Sequence, residues 1–207
     1  KVASGPIGLE IEAQIVSQIG LRPVALFQRG PRNLTSNRPI KTPDDLNGLN
    51  LRVPNVPLFV KFWQALGAKP TPMAFSEVFT ALQQGTVQAQ ENPLELIYSA
   101  SLYEVQKYCN LTQHVIGWVW LVISDKKFAA LPDDLKNVII EAGQQAQQYQ
   151  HDLFPQDQQT LKDNLQEKGM IFIDVDIQAF RLRSRDVVIN SLKPEQKELY
   201  MKIIETK

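Results

Sequence analysis

Three times between residues 49 and 99 a short apolar, β-prone run leads into a pattern of helical spacing, and this alternation admits few folds. Residues 49–53 predict a strand and 57–66 a helix ended by Gly67. Residues 70–73 and 76–84, ended by Gly85, form a second pair; 86–90 and a helical turn over 93–99 form a third. Helices that follow strands in this way lie on the faces of one sheet, which sets the class as α/β. Glycine at the ends of the first two helices suits the left-handed closing residue that other side chains adopt only with strain.

Around this segment the periodicity predicts a helix over 7–19, from the stripe Leu9, Ile11, Ile15, Val16 and Ile19 with Gly20 as its stop, and a strand over 23–27. Residues 29–43 are rich in Arg, Asn, Ser, Pro and Gly and read as an irregular polar connection, the kind of segment on which binding residues often sit. The apolar run 115–123 is about half the ~20 residues a membrane helix needs, so it reads as a buried strand, with no membrane insertion. From Leu131-Pro132-Asp133-Asp134 a helical stripe continues to Gly169, which at 1.5 Å per residue is on the order of 50 Å. Pro155 interrupts it, so the expectation is one long kinked helix spanning two lobes. A strand over 170–175 and a helix over 193–204, with Pro194 in its first turn, complete the chain.

The 22 basic and 22 acidic side chains cancel, so no whole-protein field draws in nucleic acid or an anionic membrane, and any anion chemistry must be local. With 43% hydrophobic residues in 207 there is enough apolar surface for a core. Cys109 is the single cysteine and reads as a buried structural thiol. There is no HExxH, GxSxG or phosphate loop, and His114 lacks companions for a metal site. An enzyme, a cofactor and a bound metal are therefore not expected. Residues 1–6 lack the pattern of a signal peptide; either a signal has been removed or the chain is a fragment.

Two arginines stand out. Arg52 sits inside an apolar strand, where a cation is costly unless an anion meets it. That anion is either a ligand or an acid of the protein, with Asp44, Asp45 and Glu91 as the internal choices. Arg32 lies in the polar connection with less constraint, and two planar guanidinium groups could grip one carboxylate from both sides. Asn92 ends the third strand before Pro93, at the carboxyl edge where open α/β sheets collect ligands, or else it caps the next turn. Phe75 either walls a pocket or joins Met73 and Phe79 in the core.

Residues 30–46 (GPRNLTSNRPIKTPDDL) and 48–54 (GLNLRVP) closely resemble the extracytoplasmic binding proteins of TRAP (tripartite ATP-independent periplasmic) transporters. So do 67–78 (GAKPTPMAFSEV), 81–85 (ALQQG), 90–94 (QENPL) and 103–108 (YEVQKY) with Thr112 and His114. The resemblance implies a periplasmic, two-lobed, hinge-closing α/β protein that traps a small organic acid, a sugar acid favoured, and delivers it to TRAP membrane permease subunits. A ligand-presenting module for a signalling receptor is the rival reading. The resemblance also implies that Arg52 pairs with the ligand carboxylate, Arg32 supplies a second basic contact, Asn92 an amide, Phe75 an aromatic wall and Asn55 a further contact. It places residues 1–29 and 118–157 in a partial lobe I, and 30–117 and 158–207 in a nearly complete lobe II that carries the clamp. The family's usual Asp-Gly before the Gln-Glu-Asn run is here Gln88-Ala89, which alters a loop and none of these contacts.

Overall fold

The structure, a computed structural model, describes residues 2–206. In chain order the elements are α1 (Pro6–Ile19), β1 (Leu21–Gln28), β2 (Arg32–Ser36), β3 (Asn50–Val53), α2 (Pro57–Ala65), β4 (Lys69–Pro72), α3 (Val78–Gln83), β5 (Ala89–Asn92), α4 (Leu94–Ser99), β6 (Tyr108–Val115), β7 (Trp118–Ser124), α5 (Asp125–Ala129), α6 (Asp133–Glu167), β8 (Ile171–Ile173), α7 (Ile177–Ser191) and α8 (Pro194–Glu205). The α/β class and the three strand-to-helix pairs stand as the sequence predicts. By their internal contacts the residues fall into two units: one holds residues up to Arg29, Gly117–Pro155 and those from Leu192 onward, the other Gly30–Ile116 and Gln156–Ser191.

In the first unit β1 and β7 pair antiparallel, with a bulge between Pro23 and Ala25 where proline has no N–H to give the ladder. The run expected as a buried strand over 115–123 is cut at Gly117, and Val119 and Leu121 are each 45% exposed. A two-stranded sheet leaves one face of such a strand uncovered, and apolar composition alone does not reveal that. The described residues from Leu192 onward cluster with this unit: α8 lies along α1, with Lys202 bridging to Glu10 at 3.5 Å. The 35-residue α6 carries Pro155 within it, and the boundary between the two units follows that residue.

The second unit is built on a six-stranded sheet in the order β4-β3-β5-β2-β6-β8. β4, β3 and β5 run parallel; β2 is antiparallel to both β5 and β6, and β8 is parallel to β6. The polar connection expected over 29–43 therefore contains a central strand. β2 carries Asn33, Thr35 and Ser36 into the interior, where hydrogen bonds with distant residues, the Gln113 backbone and the Gln106 and Asn110 side chains, replace apolar packing as the reason for burial. One face of the sheet presents Leu34, Leu51, Val53 and Ala89 to Trp63 and Leu66 of the α2 segment and to Phe180 of α7. Against the other face, where Cys109 points, pack Val78 and Leu82 of α3, Ile97 of α4 and Leu165 of α6.

Candidate functional site

Strand direction assembles the site. Because β3, β4 and β5 are parallel, their carboxyl ends share one rim of the sheet and bring there Arg52, the chain following Pro72, and Glu91 with Asn92. Antiparallel β2 delivers its first residues to the same rim, with Asn33 opposite Asn92. The end of β6 also arrives there, with Val115 opposite Arg32.

Arg52 is 3% exposed, and no carboxylate of the described residues lies within ion-pair distance of it. Its Nε and Nη2 both donate to the Met73 carbonyl, at 3.1 and 2.6 Å. The three internal acids named as its possible partners are engaged elsewhere. Asp44 pairs with Arg183 at 2.7 Å, and Asp45 accepts the backbone N–H groups of Lys41 and Thr42. Glu91 accepts from Arg32 and His114. Burial draws the Arg52 guanidinium below its usual range; the charge of Glu91 opposes that pull and the charge of Arg32 adds to it. The Arg52 guanidinium stays charged, since arginine is not deprotonated in proteins.

Arg32 does not stand free. Its Nε donates to Glu91 Oε2 at 2.5 Å; its Nη2 donates to Glu91 Oε1 at 2.8 Å, to the Glu91 carbonyl at 2.7 Å and to Asn92 Oδ1 at 2.9 Å. The Phe59 ring lies beneath its guanidinium, 5.5 Å from the centroid. Asn92, 2% exposed, returns one amide N–H to Gln90 Oε1 at 2.7 Å. Phe75, 40% exposed, sets its ring 5.8 Å from the Arg52 guanidinium carbon and is not a core residue. Asn55 lies in the exposed turn between β3 and α2, with no hydrogen bond among the described residues. The structure thus gathers Arg52, Arg32, Asn92 and Phe75 at one rim and leaves Asn55 at its margin.

Two members of the network were not legible as site residues. Glu91 reads from sequence only as a partner for Arg52, and His114 only as a structural histidine. They form a chain: the Leu34 N–H donates to Thr112 Oγ1 at 3.2 Å, and Thr112 Oγ1 lies 2.8 Å from His114 Nδ1. His114 Nε2–H then donates to Glu91 Oε2 at 2.8 Å. Burial disfavours the charged ring, and the neutral imidazole carries its proton on Nε2, where the Glu91 carboxylate can only accept. The available signal was Glu91 itself, an acid one residue inside a strand end, which needs donors if buried. Cys109 takes no part; burial pushes its thiol up to about 12, which leaves it un-ionised and inert.

The same network makes stability fall with acid. Burial holds His114 below its ordinary 6.5 against the opposing pull of Glu91, so the folded protein keeps the ring neutral while the unfolded chain protonates it. Burial alone would raise Glu91, but the hydrogen bonds from His114 and Arg32 and the charge of Arg32 outweigh it and hold the carboxyl below its ordinary 4.5. In both cases the unfolded state binds more protons as pH falls. Unfolding free energy should decline as pH drops through about 6.5, from His114, and again below about 4.5, from Glu91. Denaturant midpoints measured from about pH 8 to about pH 5.5 check the first step, and a flat profile there contradicts it.

Known proteins carry similar sequences on the same architecture. A solute-binding protein of Roseobacter denitrificans is 50% identical over 94% of this chain and 60% of its own length. The 2,3-diketo-L-gulonate-binding periplasmic protein of Escherichia coli is 36% identical over 87% of this chain and 55% of its own. The chain thus spans about three fifths or less of these relatives. The crystal structure of the Roseobacter TRAP periplasmic solute-binding protein with bound L-galactonate superposes with a TM-score of 0.89 at 47% identity, covering 99% of this chain and 68% of that one. A Sulfitobacter TRAP periplasmic solute-binding protein with bound β-D-galacturonate gives 0.89 at 29% identity, covering 96% and 67%. These relatives are binding proteins, not enzymes. The profile of bacterial extracellular solute-binding protein family 7, DctP, matches residues 1–194, and with the sheet, the long helix and these relatives in agreement, the chain belongs to that family of TRAP solute-binding proteins.

Proposed function

We propose that this chain is the carboxylate-holding part of a periplasmic protein that captures a small organic acid, a sugar acid in preference, and hands it to the membrane permease subunits of a TRAP transporter. The observation that carries the reading is Arg52, a buried guanidinium with no carboxylate of the described residues within ion-pair distance. Two of its five N–H groups, the side-on fork of Nε and Nη2, are taken by Met73. The end-on fork of Nη1 and Nη2 is left for the two oxygens of a ligand carboxylate. Arg32, fixed by Glu91, offers its remaining Nη1 donors from across the rim, and Asn92 offers its second amide N–H. Phe75 covers the guanidinium where the ligand enters, with Asn55 beyond it.

Sugar acids are favoured because proteins similar to this chain are described with L-galactonate, β-D-galacturonate and 2,3-diketo-L-gulonate. Membership of the family supports periplasmic placement and delivery to a permease. No helix among the described residues is long and apolar enough to cross a membrane. A thermal-shift panel of sugar acids, dicarboxylates and 2-oxo acids on the full-length protein tests the reading. A cognate acid at a hundred times its Kd adds about 2.7 kcal/mol of stability. A panel in which no carboxylate raises Tm, with the protein folded throughout, removes the reading.

A further inference from the structure

Among the described residues the rim holds two guanidinium groups but one free positive charge. Glu91 is fully buried, and both its oxygens are filled: Oε2 by Arg32 Nε and His114 Nε2, Oε1 by Arg32 Nη2. His114 adds no charge in its neutral form, which its full burial between Phe62 and Trp63 favours. The charge of Arg32 is therefore answered inside the protein, while that of Arg52 is not. We infer that Glu91 is a specificity-determining residue: by neutralising Arg32 it leaves the rim with a single unanswered cation, which selects a monocarboxylate over a dicarboxylate of the same carbon skeleton. The inference rests on carboxylate capture at Arg52 and adds to it the charge class of the ligand.

The physical ground is desolvation. One carboxylate entering the rim meets Arg52 and leaves no net charge behind. A second must lose its water against an arginine whose side-on fork already faces Glu91, so it is either unpaired or in competition with a fixed carboxylate. Hydroxyl groups carry no such penalty, since Asn92 and the spare Arg32 donors can serve them as neutral acceptors. Arg32 then works as an oriented hydrogen-bond donor more than as a counter-ion.

Calorimetry on the full-length protein with L-galactonate and with galactarate, its diacid counterpart, tests this. The wild type should bind galactarate at least about 30-fold more weakly than galactonate, the result of about 2 kcal/mol or more for a desolvated unpaired charge. Glu91→Gln frees the charge of Arg32 while keeping the shape, so that ratio should contract by about tenfold or more, even as galactonate affinity falls. Glu91→Asp keeps the charge and should retain the discrimination, which separates charge from packing. Comparable wild-type affinities for the two acids overturn the inference, as does an unchanged ratio in a Glu91→Gln protein that melts cooperatively. Absence of binding to both acids and to every other monocarboxylate removes capture at Arg52 itself, and this inference with it; binding of both acids alike removes only the charge selection.

Discussion

Arg52→Ala in the full-length protein should weaken capture of its acid by about 2–5 kcal/mol, a loss of roughly 30- to several-thousand-fold in Kd. The size follows from where the guanidinium sits. It is 3% exposed and has no internal acid as partner, so its removal should leave the charge of a captured carboxylate buried against the Met73 carbonyl and the Phe75 ring. Arg52→Lys should also weaken binding. A point charge cannot both satisfy Met73 and present two parallel donors to a carboxylate. Stability should move the other way. A buried cation without a protein anion is a burden on the unliganded fold, so Arg52→Ala should unfold at the same or a higher denaturant concentration than wild type. Arg32→Ala offers the contrast: it strips Glu91 of its guanidinium and leaves a fully buried carboxylate held by His114 alone, which should destabilise the fold with or without ligand. Near-native affinity in Arg52→Ala, measured by calorimetry, ends the capture role; a marked loss of unliganded stability in that variant reassigns the residue to structure.

What the sequence made legible here was whatever depends on local periodicity. The strands β3, β4 and β5 and the helices after them follow from apolar spacing and terminal glycines, and an arginine within the run 49–53 is by itself a demand for an anion. Which anion was beyond reach, because Asp44 and Glu91 are assigned to other partners by residues far along the chain, while Asp45 turns back onto the Lys41 and Thr42 backbone. β2 escaped notice for a related reason. Arg32, Asn33, Thr35 and Ser36 look like a loop, and only Gln106, Asn110 and Thr112, some seventy residues later, make a buried polar strand tolerable. α7 escaped because it buries little: Phe180 and Ser184 face inward while Leu182 is 73% exposed, so no clear stripe marks the helix. The third strand was expected over 86–90 and lies at Ala89–Asn92, which puts Glu91 and Asn92 inside the ladder. Their side chains therefore leave opposite faces of the sheet, and Arg32 joins them by reaching across the rim to both.

Trp63→Ala should reduce unfolding free energy by about 3–5 kcal/mol, which for a chain of this size lowers Tm by roughly 6–20 °C. Trp63 is fully buried in α2, edge-on to Phe62 with centroids 5.2 Å apart and to His114 at 4.8 Å. Its removal opens a cavity where the helix meets the sheet. Its indole Nε1 is sealed without a hydrogen-bond partner, so Trp63→Phe loses area but also relieves an unsatisfied donor, and should cost about 1 kcal/mol or less. The wide gap between the two substitutions identifies ring volume, not the indole nitrogen, as what the position requires. Because the His114 ring rests between Phe62 and Trp63 while it holds Glu91, the alanine variant should also bind acid more weakly at temperatures where it remains folded. Denaturant midpoints of the two variants within about 1 kcal/mol of each other would mean that the core closes over the gap and that the histidine needs no aromatic wall to keep Glu91 on Arg32.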